Sequence, residues 1–364
     1  MSPTVQGPGG ASDAVKGARQ PTRNCSVIAH RGASAYLPEH TSAAYLRAIA
    51  QGADFIEPDV ILSKDGVPLV RHENVLSLTT DVSEHDEFAA RRRAQTIGEK
   101  VADDWFSEDF TAAEIATLRA IERYPELRPQ SATHDGRFAI LTLQQVIDLW
   151  RDARESGSHA GLYPELKDVA YFEARGLDSV GIIVDTLNRN GLTGPKDGVL
   201  LQSFDAQALQ RAAQLTDLPL VQLLESRTPD EIEAATSPAA MASIAAYADG
   251  IGVPKGLVYV QPRPEPDGPA SALAPLELTP LVKNAHAAGL FVHVFTFRAE
   301  NKYLMPPYKR SERSTGDLAG QIRLFLEAGI DGFFTDNPDV GRAACDAWLQ
   351  QLTESSAKYR DELS

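Results

Sequence analysis

The chain has 364 residues, enough to bury a large core and more than the ~250 typical of an eight-fold barrel domain, so it holds one elaborated domain or two. Fifty acidic against 35 basic residues give a net charge of −15, which argues against nucleic acid or an anionic membrane surface as the main partner and leaves a small molecule. Two cysteines, Cys25 and Cys345, exclude a disulfide framework and a thiolate metal cluster but leave one disulfide open, and no apolar stretch reaches the ~18 residues of a membrane helix.

Residues 1–24 form a polar, Gly/Pro/Ser-rich tail that cannot bury enough apolar area to offset its ordering entropy, so disorder is expected there. The tail lacks the basic and apolar regions of a signal peptide and reads as the linker that follows one. Past it, short aliphatic runs end in polar triplets, the pattern of buried strands whose mouths carry chemistry. Val27-Ile28-Ala29 ends at His30-Arg31-Gly32, and a helical pattern follows over 39–51, with Thr41 placed to cap it. Ala53 to Ile56 ends at Glu57-Pro58-Asp59; Lys64-Asp65-Gly66 supplies a turn, and Val67 to Val70 returns Arg71-His72-Glu73 to the same mouth.

Residues 73–138 break this alternation and read as an inserted small lobe after the second strand. Trp105 and Phe106 are expected to form its own small core, with Arg91-Arg92-Arg93 as a solvated helix face. Helical spacing resumes over 142–154, and the strand 161–166 ends in Glu165 and Lys167. Further strands are expected at 198–202, 219–224, 248–253, 291–296 and 332–335, with helices at 173–190, 205–215, 230–247, 279–288, 317–328 and 339–352. Eight strand-and-helix units specify an α/β fold, a (β/α)8 TIM barrel, as a single domain over 25–352, with 353–364 as a C-terminal tail; periodicity alone also fits an open doubly wound sheet, so closure rests on the count of eight.

Strand side chains alternate, so Glu57 and Asp59 share one face, where two close carboxylates repel unless a cation or a retained proton lies between them. Glu165 brings a third carboxylate to a strand end. Ligation by oxygen alone favours Mg²⁺ or Ca²⁺ over zinc, and leaves His30 and His72 for proton transfer. By contrast His85, His134, His159, His286 and His293 read as structural, and Asp65, Asp205 and Asp336 as caps or solvated charges.

Val27-Ile28-Ala29-His30-Arg31-Gly32-Ala33-Ser34, Leu37-Pro38-Glu39-His40-Thr41, Gly52 to Val60 and Ser63-Lys64-Asp65-Gly66 together resemble the signature of the glycerophosphodiester phosphodiesterase family. Tyr163 to Lys167, Leu201 to Asp205, Tyr247 to Gly252 and Phe334 to Asp339 resemble later blocks of its periplasmic bacterial branch, so the likeness spans roughly 25–345. The resemblance implies metal-dependent hydrolysis of glycerophosphodiesters, such as glycerophosphocholine and glycerophosphoethanolamine, to sn-glycerol 3-phosphate and an alcohol. It implies Glu57, Asp59 and Glu165 as metal ligands, with Ca²⁺ preferred to Mg²⁺, His30 and His72 as the catalytic pair, and Arg31 and Lys167 as phosphate-binding cations. It also implies export to the periplasm or secretion, against a cytoplasmic alternative; the net charge and the lack of a long apolar stretch separately argue against a nucleic-acid partner and stable membrane insertion. His40 and Glu73 differ from the residues common in relatives but are compatible with the branch and are assigned no ligand role, whereas the 295–301 segment departs from the Trp-containing form of many relatives, which puts recognition of the leaving alcohol in question. Two rival readings are a phospholipase of the C or D type on the same fold and a non-catalytic phosphodiester binder.

Overall fold

The computed structural model describes residues 25–97, 100–225, 228–261, 275–311 and 314–361, and each expected strand run forms part of one sheet. Its eleven stretches reduce to eight barrel strands, because Pro58 and Pro164 each divide one strand and Pro68–Val70 is an added antiparallel edge. Proline has no N–H to give a ladder, so the split falls where the chain must turn its polar end into the mouth. The barrel strands are β1 (Ser26–His30), β2 (Phe55–Glu57 with Asp59–Leu62), β3 (Gly161–Leu162 with Glu165–Leu166) and β4 (Leu201–Ser203). The other four are β5 (Leu220–Leu223), β6 (Gly250–Pro254), β7 (Phe291–Phe297) and β8 (Gly332–Thr335).

Parallel pairing runs from each strand to the next, and β8 returns to β1 through Ser26↔Gly332 and Ala29↔Thr335, giving a TIM-like barrel. Inside lie Ile28, Tyr163, Val221 and Phe334; the larger apolar cluster sits between the strands and the surrounding helices. Those helices begin where their caps dictate. Thr41 accepts from the Ala44 N–H, Thr142 forms a capping box with Gln145, and Asp205 accepts from Gln207 and Ala208, as expected of a capping carboxylate.

Several expected boundaries move. The helix expected over 173–190 is two, Val169–Glu173 and Ser179–Arg189, because Gly176 takes φ +80° between them. Likewise 230–247 divides into Pro229–Thr236 and Pro238–Ala245, each with proline in the first turn. The last helix, Pro338–Asp361, runs past 352 into the stretch expected as a tail, whereas the expectation for 1–24 falls outside the described residues.

Between Arg71 and Thr142 lie short 3₁₀ turns, an antiparallel hairpin of Arg93–Ile97 with Lys100–Asp104, and the short helices Ala112–Ile115 and Pro129–Ala132. Phe88, Trp105, Phe110, Ile115 and Leu118 belong to the same apolar cluster as Val60, Ile61 and Leu62 of β2, so the expected separate core does not exist. Phe88 and Phe110 do meet, with ring centroids 5.1 Å apart, but a segment this thin cannot enclose them and their packing runs on into the barrel's own cluster. Nor is the arginine run a solvated helix face: Arg91 pairs with Glu114 over the Phe110 ring, and Arg93 pairs with Asp109 over Phe106. A disulfide joins Cys25, before β1, to Cys345 in the last helix, with Cα atoms 5.9 Å apart. No helix among the described residues is long and apolar enough to cross a membrane.

Candidate active site

The mouth of the barrel collects side chains from the ends of β1, β2 and β3. Asp59 is the register partner of Glu165 across the β2–β3 ladder, and Glu57 precedes Asp59 by two residues on the same face. The three carboxylates are buried, and each offers an oxygen within 4.8 Å of the others. Burial pushes Glu57 up, and the Asp59 charge adds to it; burial likewise drives Glu165 up to about 8, with Lys167 opposing. Asp59 goes the other way, because Arg31, His72 and Lys167 outweigh its desolvation and hold it well below the usual carboxylate range. Gln202 donates to Glu57 at 3.1 Å, while its own buried Oε1 has no hydrogen-bond partner. A crowded set of oxygen donors with surplus negative charge and an orphaned amide oxygen beside it fits a hard divalent cation.

Two fixed cations flank the cluster. Arg31 sits at φ +59° and Gly32 at φ +86°, and a Cβ on Gly32 would lie 2.7 Å from the Ala44 carbonyl carbon, so the chain turns sharply against the first helix there. That turn aims the Arg31 N–H at Glu57 Oε2, at 2.9 Å, and sends its guanidinium to Glu39 and to Asp59, each at 3.1 Å. Lys167 Nζ stands 2.9 Å from Glu165 and 4.0 Å from Asp59.

The two histidines arrive by different routes. His30 ends β1, and its Nδ1 is 2.7 Å from Asp336, just past the end of the neighbouring β8. Since the carboxylate accepts, Nδ1 carries the proton and Nε2 is left to the cavity. Burial brings the imidazole down to about 3, with Arg31 adding to the effect, so it is neutral near pH 7. His72 follows the Pro68–Val70 return strand, whose pairing Val60↔Val70 carries it back to the mouth, and its Nδ1 is 2.5 Å from Glu73. Its pKa is also lowered, by burial first and then by Arg31.

A cavity of about 320 Å³ joins these groups: His30, Arg31, Glu57, His72, Glu165 and Lys167 line one side, and Phe204, Leu223, Phe295 and Phe334 the other. All the expected site residues therefore meet, with Asp59 just behind the lining. The histidines read as structural stay away from it. His293 is buried inside the barrel against Tyr163, His286 pairs with Asp331, and His85 pairs with Asp81 and Glu87.

Asp336 corrects the reading of that residue as a cap or solvated charge. It is buried, holds His30, and receives Arg128 at 2.5 Å and Arg298 at 2.7 Å. Sequence reasoning also missed Arg123, which donates to both Glu39 and Glu73, and Arg128, which also donates to Glu300. His40 was assigned no part, yet its Nε2 donates to Asp59 at 2.9 Å and its Nδ1 accepts from the Tyr45 hydroxyl at 2.7 Å. Adjacency of His72 and Glu73 was a signal available in the sequence; nothing marked partners that lie 208 and 306 residues apart.

The sequence profile of the Glycerophosphoryl diester phosphodiesterase family matches residues 30–340. Glycerophosphodiester phosphodiesterase GDPD6 of Arabidopsis thaliana is 34% identical over 355 residues, covering 92% of this chain and 89% of its own. The glycerophosphodiester phosphodiesterase of Haemophilus influenzae is 30% identical over 347 residues, covering 86% and 88%. Among solved structures, a phosphodiesterase of Oleispira antarctica in complex with the product sn-glycerol 3-phosphate superposes with TM-score 0.58 at 22% identity, covering 88% of this chain and 96% of its own. The glycerophosphodiester phosphodiesterase of Agrobacterium tumefaciens gives 0.53 at 21% identity, with 88% and 99% covered, and both likenesses concern the fold. The chain therefore belongs to the glycerophosphoryl diester phosphodiesterase family and is a phosphodiesterase.

Proposed function

We propose that the chain hydrolyses glycerophosphodiesters such as glycerophosphocholine and glycerophosphoethanolamine to sn-glycerol 3-phosphate and the alcohol, with a divalent cation and two histidines. The observation that carries this reading is one cavity lined by His30 and His72, each oriented by a carboxylate, with Glu57, Glu165, Arg31 and Lys167. The product named for the Oleispira structure supports the choice of product.

Glu57, Asp59 and Glu165 hold the cation, Ca²⁺ in preference to Mg²⁺ by likeness to the family, and when bound it stabilises charge developing on the phosphoryl oxygens. Arg31 and Lys167 bind the phosphate. A phosphodiester carries one negative charge at rest and gains more on the way to the transition state, so fixed cations favour the transition state over the ground state. One of His30 and His72 takes the proton from the attacking oxygen and the other protonates the leaving alkoxide; if water attacks, sn-glycerol 3-phosphate forms directly, and if the substrate's own glycerol hydroxyl attacks, a cyclic phosphodiester forms that a water then opens to the same product. Both present Nε2 to the substrate, because Asp336 and Glu73 occupy their Nδ1 atoms.

Residues 73–138 act as an inserted lobe in the sense that they reach the site from outside the barrel units. The protein works outside the cytoplasm, in keeping with the Cys25–Cys345 disulfide, since such bonds persist in oxidising compartments. Incubation with glycerophosphocholine and Ca²⁺ is expected to release sn-glycerol 3-phosphate and choline, and EDTA to stop it. No release with either Ca²⁺ or Mg²⁺ would overturn the reading.

A further inference from the structure

We infer that Arg123 and Arg128, at the two ends of one turn in the segment outside the barrel units, are positioning residues, each locking the carboxylate that orients one of the two histidines. The inference rests on the proposed roles of His30 and His72. A carboxylate fixes an imidazole only while its own orientation is fixed. In a buried site that requires donors on the oxygens that face away from the histidine.

The geometry supplies one such donor to each carboxylate from a single stretch of chain, and Arg298, just past β7, adds a second to Asp336 at 2.7 Å. Leu127 and Arg128 donate their N–H groups to the Tyr124 carbonyl at 2.9 and 2.8 Å, closing a turn with Arg123 before it and Arg128 after it. Arg123 forks onto Glu73 at 2.8 and 2.6 Å and onto Glu39 at 2.8 and 2.7 Å; Glu39 in turn holds Arg31. Arg128 donates to Asp336 Oδ2 at 2.5 Å, to Glu300 at 2.6 Å and to the Ser34 carbonyl at 2.8 Å. Their side chains are only 9% and 4% exposed.

A planar guanidinium holds two acceptors at a fixed angle, which a lysine ammonium does not, so the residue type suits alignment as well as charge balance. Neither arginine lines the cavity, so both act through other residues. The chain Arg128–Asp336–His30 and the chain Arg123–Glu73–His72 share no carboxylate; the turn is what they have in common.

The test is a set of four double-mutant cycles with glycerophosphocholine and Ca²⁺, using Arg123→Ala and Arg128→Ala alone and each combined with His30→Ala or His72→Ala. Each arginine variant is expected to lose about 10- to 100-fold in kcat, the range seen when residues behind a liganding histidine are removed, with KM little changed. Arg128→Ala should add nothing once His30 is gone and keep its full effect once His72 is gone; Arg123→Ala should keep its full effect once His30 is gone and lose most of it once His72 is gone, retaining only the part that passes through Glu39 to Arg31. Equal losses in both histidine backgrounds would overturn the inference while leaving the proposed activity standing. Absence of turnover by the unaltered chain would remove that activity and the inference together. Arg128→Lys and Arg123→Lys guard against misfolding, since they keep the buried charge and lose only the fork. They are expected to melt near the unaltered temperature with lowered kcat, and full kcat in both would also overturn the inference.

Discussion

The two histidine corners of the mouth use the same chemistry in different surroundings. At the β1–β8 corner the His30 and Asp336 side chains are 11% and 2% exposed, and two arginines close over the carboxylate. At the hairpin corner His72 and Glu73 are 30% and 28% exposed, and one arginine holds the carboxylate. Asp336 is so desolvated that only Arg298, Arg128 and His30 keep it well below the usual carboxylate range. Burial also pushes Glu73 up, but His72 and Arg123 outweigh it and bring it down to about 2. The deep corner is built from barrel strands, where neighbours are fixed by closure of the sheet; the shallow one is built locally, by adjacent residues. On the proposed two-histidine mechanism, a rigid imidazole is thus paired with one nearer solvent.

The sharpest way to break that comparison is to remove the rings. His30→Ala and His72→Ala are each expected to lose about 10²- to 10⁴-fold in kcat/KM on glycerophosphocholine. On a nitrophenyl phosphodiester, whose leaving group needs little protonation, one of the two should recover markedly. Equal loss for both variants on both substrates would end the division of labour.

Next in size is stability. Asp336→Ala leaves Arg128 and Arg298 facing a buried gap and is expected to cost roughly 3–5 kcal/mol in urea unfolding. Glu73→Ala removes a partly exposed partner from Arg123, which keeps Glu39, so a cost of about 1 kcal/mol or less is expected. Similar costs at the two sites would mean that burial does not set them apart.

The carboxylate cluster between the corners gives a third test. At a hundredfold excess over Kd, Ca²⁺ is expected to stabilise the unaltered chain by about 2.7 kcal/mol in a thermal-shift titration. Glu57→Gln should lose most of that gain, yet melt higher than the unaltered chain in EDTA, because a neutral amide relieves the crowding that pushes Glu57 up. Unchanged Ca²⁺ stabilisation in Glu57→Gln would remove this residue from the ligand set.

The smallest effect comes from a histidine–carboxylate pair outside the cavity. The Asp331 hydrogen bond raises His286, so protonation favours the fold; the gain is complete below the unfolded value of about 6.5 and fades as pH rises through the raised folded value. His286→Gln should therefore be less stable than the unaltered chain at pH 5.5, by under about 1 kcal/mol since both groups are partly exposed, and nearly equal at pH 9, with kcat unchanged. A changed kcat would mean that such pairs act at a distance, and would weaken the contrast between the corners.

The barrel strands were legible because a strand buried on both faces is a continuous aliphatic run, and Thr41, Thr142 and Asp205 mark helix starts by a local hydrogen bond. Glu57 and Asp59 were legible for the same local reason, a spacing of two on an extended chain. His30's partner was not, because Asp336 comes beside it only through closure of β8 onto β1. Arg123 and Arg128 were hidden more deeply. An arginine beside a turn ordinarily reads as solvated, and only the packing of that turn over the mouth buries it. Trp105 was misread for the converse reason: its sequence neighbourhood is polar, but the surface it covers belongs to the barrel.

The Cys25–Cys345 disulfide turns the span between these residues into a closed covalent ring, just as β8 pairing with β1 closes the sheet. One proteolytic cut in any loop of that ring opens it without releasing a fragment. Denatured without a reductant, the nicked protein stays one covalent molecule; denatured with one, it parts into two chains. A single clip within the ring therefore leaves all eight barrel strands covalently tethered to one another.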